Sequence, residues 1–475
     1  MSKAIEWPGD GVITPAWARL LAATLDANSR SGAPPKNLAK VFPKATHEKL
    51  MKHVGALLQA EPTLLRLRPP RETEVVVVGD THGQLHDALK LMSLAGEPSA
   101  ANWYVFNGDF VDRGAWGAEL FAVALAWKAA APNAVFLLRG NHECEFCTEV
   151  YGYKRELQVK YSKASGNALW RQFMRVGAEL PLAAQIGDKT LVLHGGLFRG
   201  KKRRGRGAAA ALAVGTLADL AGAWKGGGDP DGEGDATIAG DVLWSDPASA
   251  NEVTGLVPNE NRGIGTMFGP DATAEFLRRN GLRLVLRSHE GPDAREDREG
   301  MDNMHAGFSV DHDIEAVGKL CTVFSAPDYP QFIEAGDTRH NNRATFVRLR
   351  GATEGAEPEP TAFSAARPRP ASEPYYDITV GGSDEEGPDG ELARETRARA
   401  SEDEAAEETD RGEEAGPRAA AAAERESGEK APKGGESSAG EANERVSEEV
   451  EEIEGLASSQ EDTEEIPSWP RSRPR

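Results

Sequence analysis

Three short motifs place carboxylate, imidazole and amide side chains at near-equal intervals. They are Gly79-Asp80-Thr81-His82-Gly83, Gly108-Asp109-Phe110-Val111-Asp112-Arg113-Gly114 and Gly140-Asn141-His142-Glu143. Asp80 to Asp109 spans 29 residues and Asp112 to His142 spans 30. Further along, His194 precedes Gly195-Gly196, and His289 closes Arg287-Ser288-His289. The glycines around these motifs let the backbone turn sharply and approach a ligand.

Such donors suit divalent cations. Two ions about 3.5–4 Å apart need one bridging carboxylate and N or O ligands around each. Asp109 lies centrally in the series and is the natural bridge. Asp80 and His82 complete the first set, and Asn141, His194 and His289 the second. One histidine near a strand end is most often structural. Five motifs in one order, each after the same kind of apolar run, are not explained that way.

The elements that must carry these residues are legible around them. Val75–Val78, Tyr104–Phe106, Val135–Leu138, Leu191–Leu193, Leu284–Leu286 and Thr322–Phe324 read as short strands, each ending at polar residues. Helical stretches separate the early ones, one with Leu85, Leu89 and Met92 on one face and one over roughly 116–130. Strands alternating with helices predict an α/β protein in which every motif leaves the same edge of the sheet. Residues 1–70 predict a helical cap: Trp17, Leu20, Leu21 and Leu25 share one face, as do Leu50, Met51, Val54, Leu57 and Leu58. Residues 199–240 break the rhythm and read as a surface insertion within a catalytic domain spanning 71–350.

Across 70–350 the motifs resemble the phosphoprotein phosphatase superfamily of metal-dependent serine/threonine phosphatases. The run Asp241-Val-Leu-Trp-Ser-Asp-Pro247 and the element Asn261-Arg-Gly263 belong to the match. Val111–Gly117, Arg287–Arg295 and Phe324–Phe332 make it most similar to the plant type-7 branch; the type-5 branch carries N-terminal helical repeats for which 70 residues leave no room. The resemblance implies a two-sheet β-sandwich core of the metallophosphoesterase type, flanked by helices, and two divalent metal ions, manganese or iron with zinc. It implies hydrolysis of phosphoserine and phosphothreonine by direct attack of a hydroxide bridging the ions. It casts His142 as the acid that protonates the leaving oxygen, Asp112 as its orienting partner, Arg113 and Arg262 as forks on the phosphate oxygens, and Tyr329 at the cleft rim. Where many relatives carry Asn and Cys beside that tyrosine, this chain has Asp328 and Pro330. An added carboxylate there is expected to repel phosphate slightly. Two other readings keep the same residues: a hydrolase of dinucleoside polyphosphates, and an inactive phosphate-recognising protein. The 241–247 run and the 322–332 loop favour the protein phosphatase, and the complete ligand set argues against inactivity.

Composition sets the surroundings. Residues 351–475 hold 34 of the 76 acidic and 14 of the 55 basic residues, which leaves 42 acidic and 41 basic in 1–350. No basic excess points to nucleic acid. The tail contains four aromatics, Phe363, Tyr375, Tyr376 and Trp469, and is expected to be disordered and dispensable for folding. Three cysteines are too few for a disulfide framework, the N-terminus has no apolar leader and no run is long enough to span a membrane, so an intracellular site, nucleus or cytoplasm, is expected. Neither Cys144-Glu-Phe-Cys147 nor the acidic loop Asp229–Asp235, whose twelfth position is Gly240, completes a zinc or calcium site. In the insertion, Lys201–Arg204 and Arg206 precede Leu212, Leu217, Leu220 and Trp224, the last three spaced as one helical face. A basic amphipathic segment over 199–226 suits calmodulin, the basic run alone suits nuclear import, and a solvated loop with a short packed helix is the plain alternative.

Overall fold

The structure, a computed structural model, describes residues 3–200, 214–296, 298–334, 339–351 and 357–379. Its strands in chain order are β1 (Leu64–Leu67), β2 (Glu74–Val78), β3 (Asn102–Phe106), β4 (Val135–Leu137), β5 (Ala183–Ile186), β6 (Thr190–Leu193) and β7 (Asp246–Pro247). There follow β8 (Leu256–Pro258), β9 (Thr266–Phe268), β10 (Leu284–Arg287), β11 (Phe308–Ile314), β12 (Gly318–Val323), β13 (Ala344–Leu349) and β14 (Glu359–Phe363). One sheet has the order β14-β13-β2-β3-β4, a second β1-β5-β6-β10-β12-β11, and a small third β7-β9-β8.

The two larger sheets form a sandwich, and strand alternation explains why their strands read as unbroken apolar runs. Val75 and Val77 point inward, where they meet Val105, Phe136, Val192, Leu286, Cys321 and Val323 between the sheets. Val76 and Val78 point outward with Tyr104, Phe106 and Val135 into a core shared with the N-terminal helices. On the far side, Leu191, Leu193, Val285 and Leu320 face another core. Strands covered on both faces have no polar side to show. The motif-bearing strands pair in parallel within each sheet, β2 with β3 and β3 with β4, β6 with β10 and β10 with β12. The motifs therefore leave two sheets rather than one. They converge because β2 and β12 meet at their ends: Asp80 and Phe324 form a parallel bridge, and Ser325 N–H donates to the Asp80 carbonyl at 3.0 Å.

The helical cap is present as helices Pro15–Arg30 and Lys44–Ala60. Thr14 caps the first by accepting from Trp17 N–H, and Pro15 starts it. Leu21 and Leu25 are buried as expected, but Leu20 is 56% exposed; the buried stripe runs through Ala18 and Ala22 instead. Residues 64–67, inside the expected cap, are β1 of the second sheet.

Two segments expected to lie outside the core are part of it. Within 199–240, the buried Arg139 guanidinium donates to the carbonyls of Lys225 and Gly228, and Lys225 Nζ reaches the carbonyls of Leu58 and Glu179. Asp229, the first residue of the acidic loop, accepts from Glu145 and Phe146 N–H at the start of helix Glu145–Val150. Leu217 and Leu220 sit in a five-residue helix with a Thr216/Asp219 capping box and are buried, while Trp224 is exposed. The expected shared face thus points into the core at two of its three positions. The basic run and Leu212 lie outside the described residues. Beyond residue 350, β14 adds to β13 as an antiparallel strand and Phe363 is buried against Phe346. The expected tail thus begins inside the fold; residues 380–475 lie outside the described residues. No helix among the described residues is long and apolar enough to cross a membrane.

The β14 pairing predicts a sharp stability boundary. Phe363→Ala should cost on the order of 3 kcal/mol in chemical denaturation, as a buried Phe truncation does. A chain ending at residue 379 should unfold with an unchanged midpoint, and one ending at 350 well before it.

Candidate metal centre

Asp109 is the centre of the site. It follows β3 and sits with φ +50, a left-handed conformation uncommon for a non-glycine residue. His82 (+39), Asp112 (+68), Arg113 (+63) and His289 (+75) share that region. Backbone strain gathered at five candidate site residues marks a place where surrounding structure dictates the conformation. Part of that dictation is Glu143. Its buried carboxylate accepts from the backbone N–H groups of Asp109, Phe110 and Gly140, each at 2.9 Å, and so ties the second motif to the third. At Gly140 a Cβ would lie 2.1 Å from Asp109 Oδ1, so only glycine allows this approach.

The six candidate ligands come together. His142 N–H donates to Asp109 Oδ1 at 3.0 Å, which leaves Oδ2 facing His194 Nε2 at 3.4 Å and His82 Nε2 at 3.7 Å. Donor atoms of Asp109, His194 and His289 lie within 4.8 Å of one another, and so do those of His82, Asp109 and His142. His289 N–H donates to Asp80 Oδ2 at 3.0 Å. Asn141 Oδ1 is 2.8 Å from His194 Nε2 and 3.0 Å from His289 Nδ1, while its amide nitrogen turns to Cys147 Sγ.

Hydrogen bonding around the rings tests whether cations fit. His194 Nδ1 lies 2.7 Å from the Asn107 carbonyl and His82 Nδ1 3.1 Å from the Val111 carbonyl. A carbonyl can only accept, so each Nδ1 carries the ring proton. In the neutral imidazole, Nε2 then presents a lone pair, and it faces the oxygens of Asp109 and Asn141. Lone pairs converging on one point are the arrangement a cation resolves, with the second ring nitrogen fixed by a carbonyl as metal-bound histidines usually are. Asp80 Oδ1 and His289 Nε2 are buried without a hydrogen-bond partner. The charges agree. Burial, and then the nearby Asp109, push the Asp80 carboxyl up to about 8. Burial also opposes ionisation of Asp109, but His194 and His142 hold it well below the usual carboxylate range. Burial disfavours a charged His194 too, yet Asp109 raises it to about 9: the anionic cluster draws positive charge onto that ring. The donor set fits two divalent cations sharing Asp109.

Beside the ligands, His142 Nδ1 lies 2.7 Å from Asp112 Oδ2, both fully buried, and Asp112 Oδ1 accepts from Tyr153 N–H. Burial raises the Asp112 carboxyl to about 6, against the pull of His142. Arg113 lies with its guanidinium 3.8 Å from the Tyr151 ring centroid. Its loop is held by Lys160, which donates to the Ala115 carbonyl and pairs with Glu119 and Glu156. Arg262 pairs with Asp246 at 2.6 Å. Asp246 also binds Arg287; the two arginines outweigh burial and keep it below its ordinary value. Tyr329 stacks on His82 at 5.2 Å and 29°. The carboxylate of Asp328 does not stand open to the cleft as expected: Arg339, Arg367 and Arg369 surround it. Residue type and spacing alone give no task to Glu143, Asp246, Arg287 or Lys160, although Glu143 closes a motif whose other members include site candidates. The rest owe their positions to contacts between distant segments. Cys144 and Cys147 are buried thiols not joined in a disulfide; Cys144 Sγ accepts from Cys147 N–H and caps a helix.

Residues 73–293 match the calcineurin-like phosphoesterase family. The chain is 42% identical over 389 residues to serine/threonine-protein phosphatase 7 of Arabidopsis thaliana, which covers 79% of this chain and 92% of that protein. It is 39% identical over 401 residues to a long-form homologue of phosphatase 7 from the same plant, and spans 29% of that longer protein. A solved Saccharomyces cerevisiae serine/threonine phosphatase, described as similar to human PP5, superposes with a TM-score of 0.55 at 31% identity, covering 71% of this chain and 94% of that one. By its fold and by these relatives, the chain belongs to the calcineurin-like phosphoesterases, in the phosphoprotein phosphatase superfamily and its type-7 branch.

Proposed function

We propose that this chain hydrolyses phosphoserine and phosphothreonine in proteins. One observation carries the reading. Six metal-ligand candidates come together with Asp109 at their centre, and a buried His142–Asp112 pair stands beside them with Arg113. Relatives named as serine/threonine phosphatases over most of this chain support the substrate class.

Asp80, His82 and Asp109 would hold one divalent ion, and Asp109, Asn141, His194 and His289 the other. Such ions, manganese or iron with zinc, supply Lewis acidity and a nucleophilic water at neutral pH. The protein supplies the rest. Arg113 and Arg262 orient the phosphate oxygens, and Asp246 fixes the Arg262 guanidinium in direction. Asp112 holds Nδ1 of His142, so Nε2 is the nitrogen left to give its proton to the departing serine or threonine oxygen. His82, Phe324 and Tyr329 pack ring against ring and keep that wall of the cleft apolar. The catalytic unit we propose comprises residues 3–379, with the acidic remainder appended. Calmodulin binding within 199–226 would use Trp224 and the basic run, and requires Leu217 and Leu220 to leave the core. A nuclear or cytoplasmic site fits a chain acting on intracellular phosphoproteins.

Asp109→Asn should lose bound metal, read by elemental analysis, and nearly all turnover, because a neutral amide does not hold two dications together. Retention of both ions at near-normal rate would overturn the bridging role.

His142→Asn should keep its metal while kcat on phosphopeptides falls by roughly 10²–10⁴, the usual worth of a general acid. The loss should shrink on nitrophenyl phosphate, whose leaving group needs no proton. Loss of metal in this variant would instead make His142 a ligand, an alternative its position among His82 and Asp109 leaves testable.

A further inference from the structure

The residue proposed to hold substrate phosphate is itself covered. Arg113 is 1% exposed. Tyr151 lies against its guanidinium, and Tyr376 lies near it as well, with its ring centroid 5.8 Å from the guanidinium carbon. Tyr376 belongs to a stretch that runs from β14 back across the molecule, and the surroundings of its phenol include Arg113, Asp112 and Asp293. A phenol hydroxyl beside Arg113 takes up guanidinium N–H groups that a phosphate oxygen would need.

The stretch is fastened by charge. Ala366 N–H donates to Asp87 Oδ1 at 2.5 Å. Arg369 pairs with Asp87 at 3.0 Å and donates to the Pro327 carbonyl. Arg367 pairs with Asp328 at 2.8 Å, and Arg369 adds a second, longer contact to it. Arg30 of the first helix donates to the Pro368 carbonyl. Tyr375 then lies over Lys160, and both tyrosines pass close to Gly152, where a Cβ would come within 3.4 Å of each. Between the stretch and the helical cap is a cavity of about 720 Å³, lined by Pro35, Trp116, Lys160, Pro374, Tyr375 and Tyr376 among others. The stretch therefore rests on the core at its arginines and tyrosines and is not packed along its length. Its anchor Asp87 is buried, and its anchor Asp328 precedes Tyr329, which stacks on His82.

We propose that residues 366–377 are an intramolecular strap that occupies the phosphopeptide groove, with Tyr376 on Arg113 and two carboxylates, Asp87 and Asp328, as its latch. The inference rests on Arg113 being a phosphate-holding residue. An extended segment seated by aromatic and ionic contacts also states what the groove accepts: an extended polypeptide whose flanking residues meet Lys160 and the 328–332 loop. Substrate and strap then exclude one another, and the apparent affinity for substrate falls by the fraction of molecules with the strap open.

Three metal-loaded proteins test it: the full chain, a chain ending at Ala365, which keeps β14, and full-length Tyr376→Ala. With the strap closed in nine molecules of ten, both altered proteins should show KM for a phosphothreonine peptide about tenfold lower than the full chain, with similar kcat. A synthetic peptide of residues 366–379 should inhibit the shortened chain competitively. Equal KM in all three, or a fall in kcat/KM for Tyr376→Ala, overturns the strap; in the second case Tyr376 holds Arg113 in its working position. Hydrogen exchange supplies a readout that needs no turnover. Inorganic phosphate added to the full chain should speed exchange over 371–377, and unchanged or slower exchange there overturns the proposal. If none of the three proteins hydrolyses a phosphopeptide, the phosphatase reading fails and the exchange result alone decides the strap.

Discussion

Two carboxylates that repel one another, Asp80 and Asp109, are buried together where the two sheets meet, and much of the surrounding structure answers that repulsion. Left alone, one of them must keep its proton, which is what burial and proximity do to Asp80. A pair of dications would remove the conflict and make both carboxylates useful. The cost of holding the donors ready is spread over backbone conformation. Five candidate site residues take left-handed φ values, and Glu143 spends its whole carboxylate on three backbone N–H groups to keep two motif loops in register. That is preorganisation at the level of the chain, before any substrate arrives.

The sandwich is the means by which residues from opposite sheets reach one point. β2, β3 and β4 deliver Asp80, Asp109 and Asn141, while β6 and β10 deliver His194 and His289. One sheet carries the whole set Asp80, His82 and Asp109, but the second set needs Asp109 and Asn141 from that sheet and His194 and His289 from the other. The Asp80–Phe324 bridge and the Ser325 hydroxyl, which accepts from Gly79 N–H and donates to the Thr345 carbonyl, join the sheets beside the ligands. Metal binding and sheet docking are therefore coupled: a shift of one sheet against the other would separate His289 from the Asp80 carboxylate its N–H now meets.

The parts of the fold legible in the sequence were those set by local pattern. Apolar runs ending in Asp, Asn or His became strands ending at the site, and helical periodicity located the helices at 15–30, 44–60 and 117–130. What local pattern could not show was pairing. Nothing in the valine runs says that β2 and β12 belong to different sheets. Arg139 reads as one more motif residue until Lys225 and Gly228 are brought to its guanidinium. β14 was hidden because an edge strand of five residues, Glu-Pro-Thr-Ala-Phe, carries little apolar signal and sits in a stretch whose average composition is that of a solvated tail. Averaging over 125 residues concealed the stretch up to residue 379, which holds three of the tail's four aromatics.

Asp328 shows the same limit at one position. Judged by its neighbours in sequence, a carboxylate beside Tyr329 in a phosphate-binding cleft is a defect. Its field is decided elsewhere, by Arg339 eleven residues on and by Arg367 and Arg369 about forty residues on. A carboxylate ringed by guanidinium groups no longer repels phosphate; it fixes the chain that carries those groups. Asp328 and the C-terminal arginines therefore act together. An asparagine at 328 could accept a hydrogen bond from Arg367 but would leave the guanidinium charge of Arg367 and Arg339 uncompensated at the cleft mouth, where it would attract phosphate instead of holding the strap.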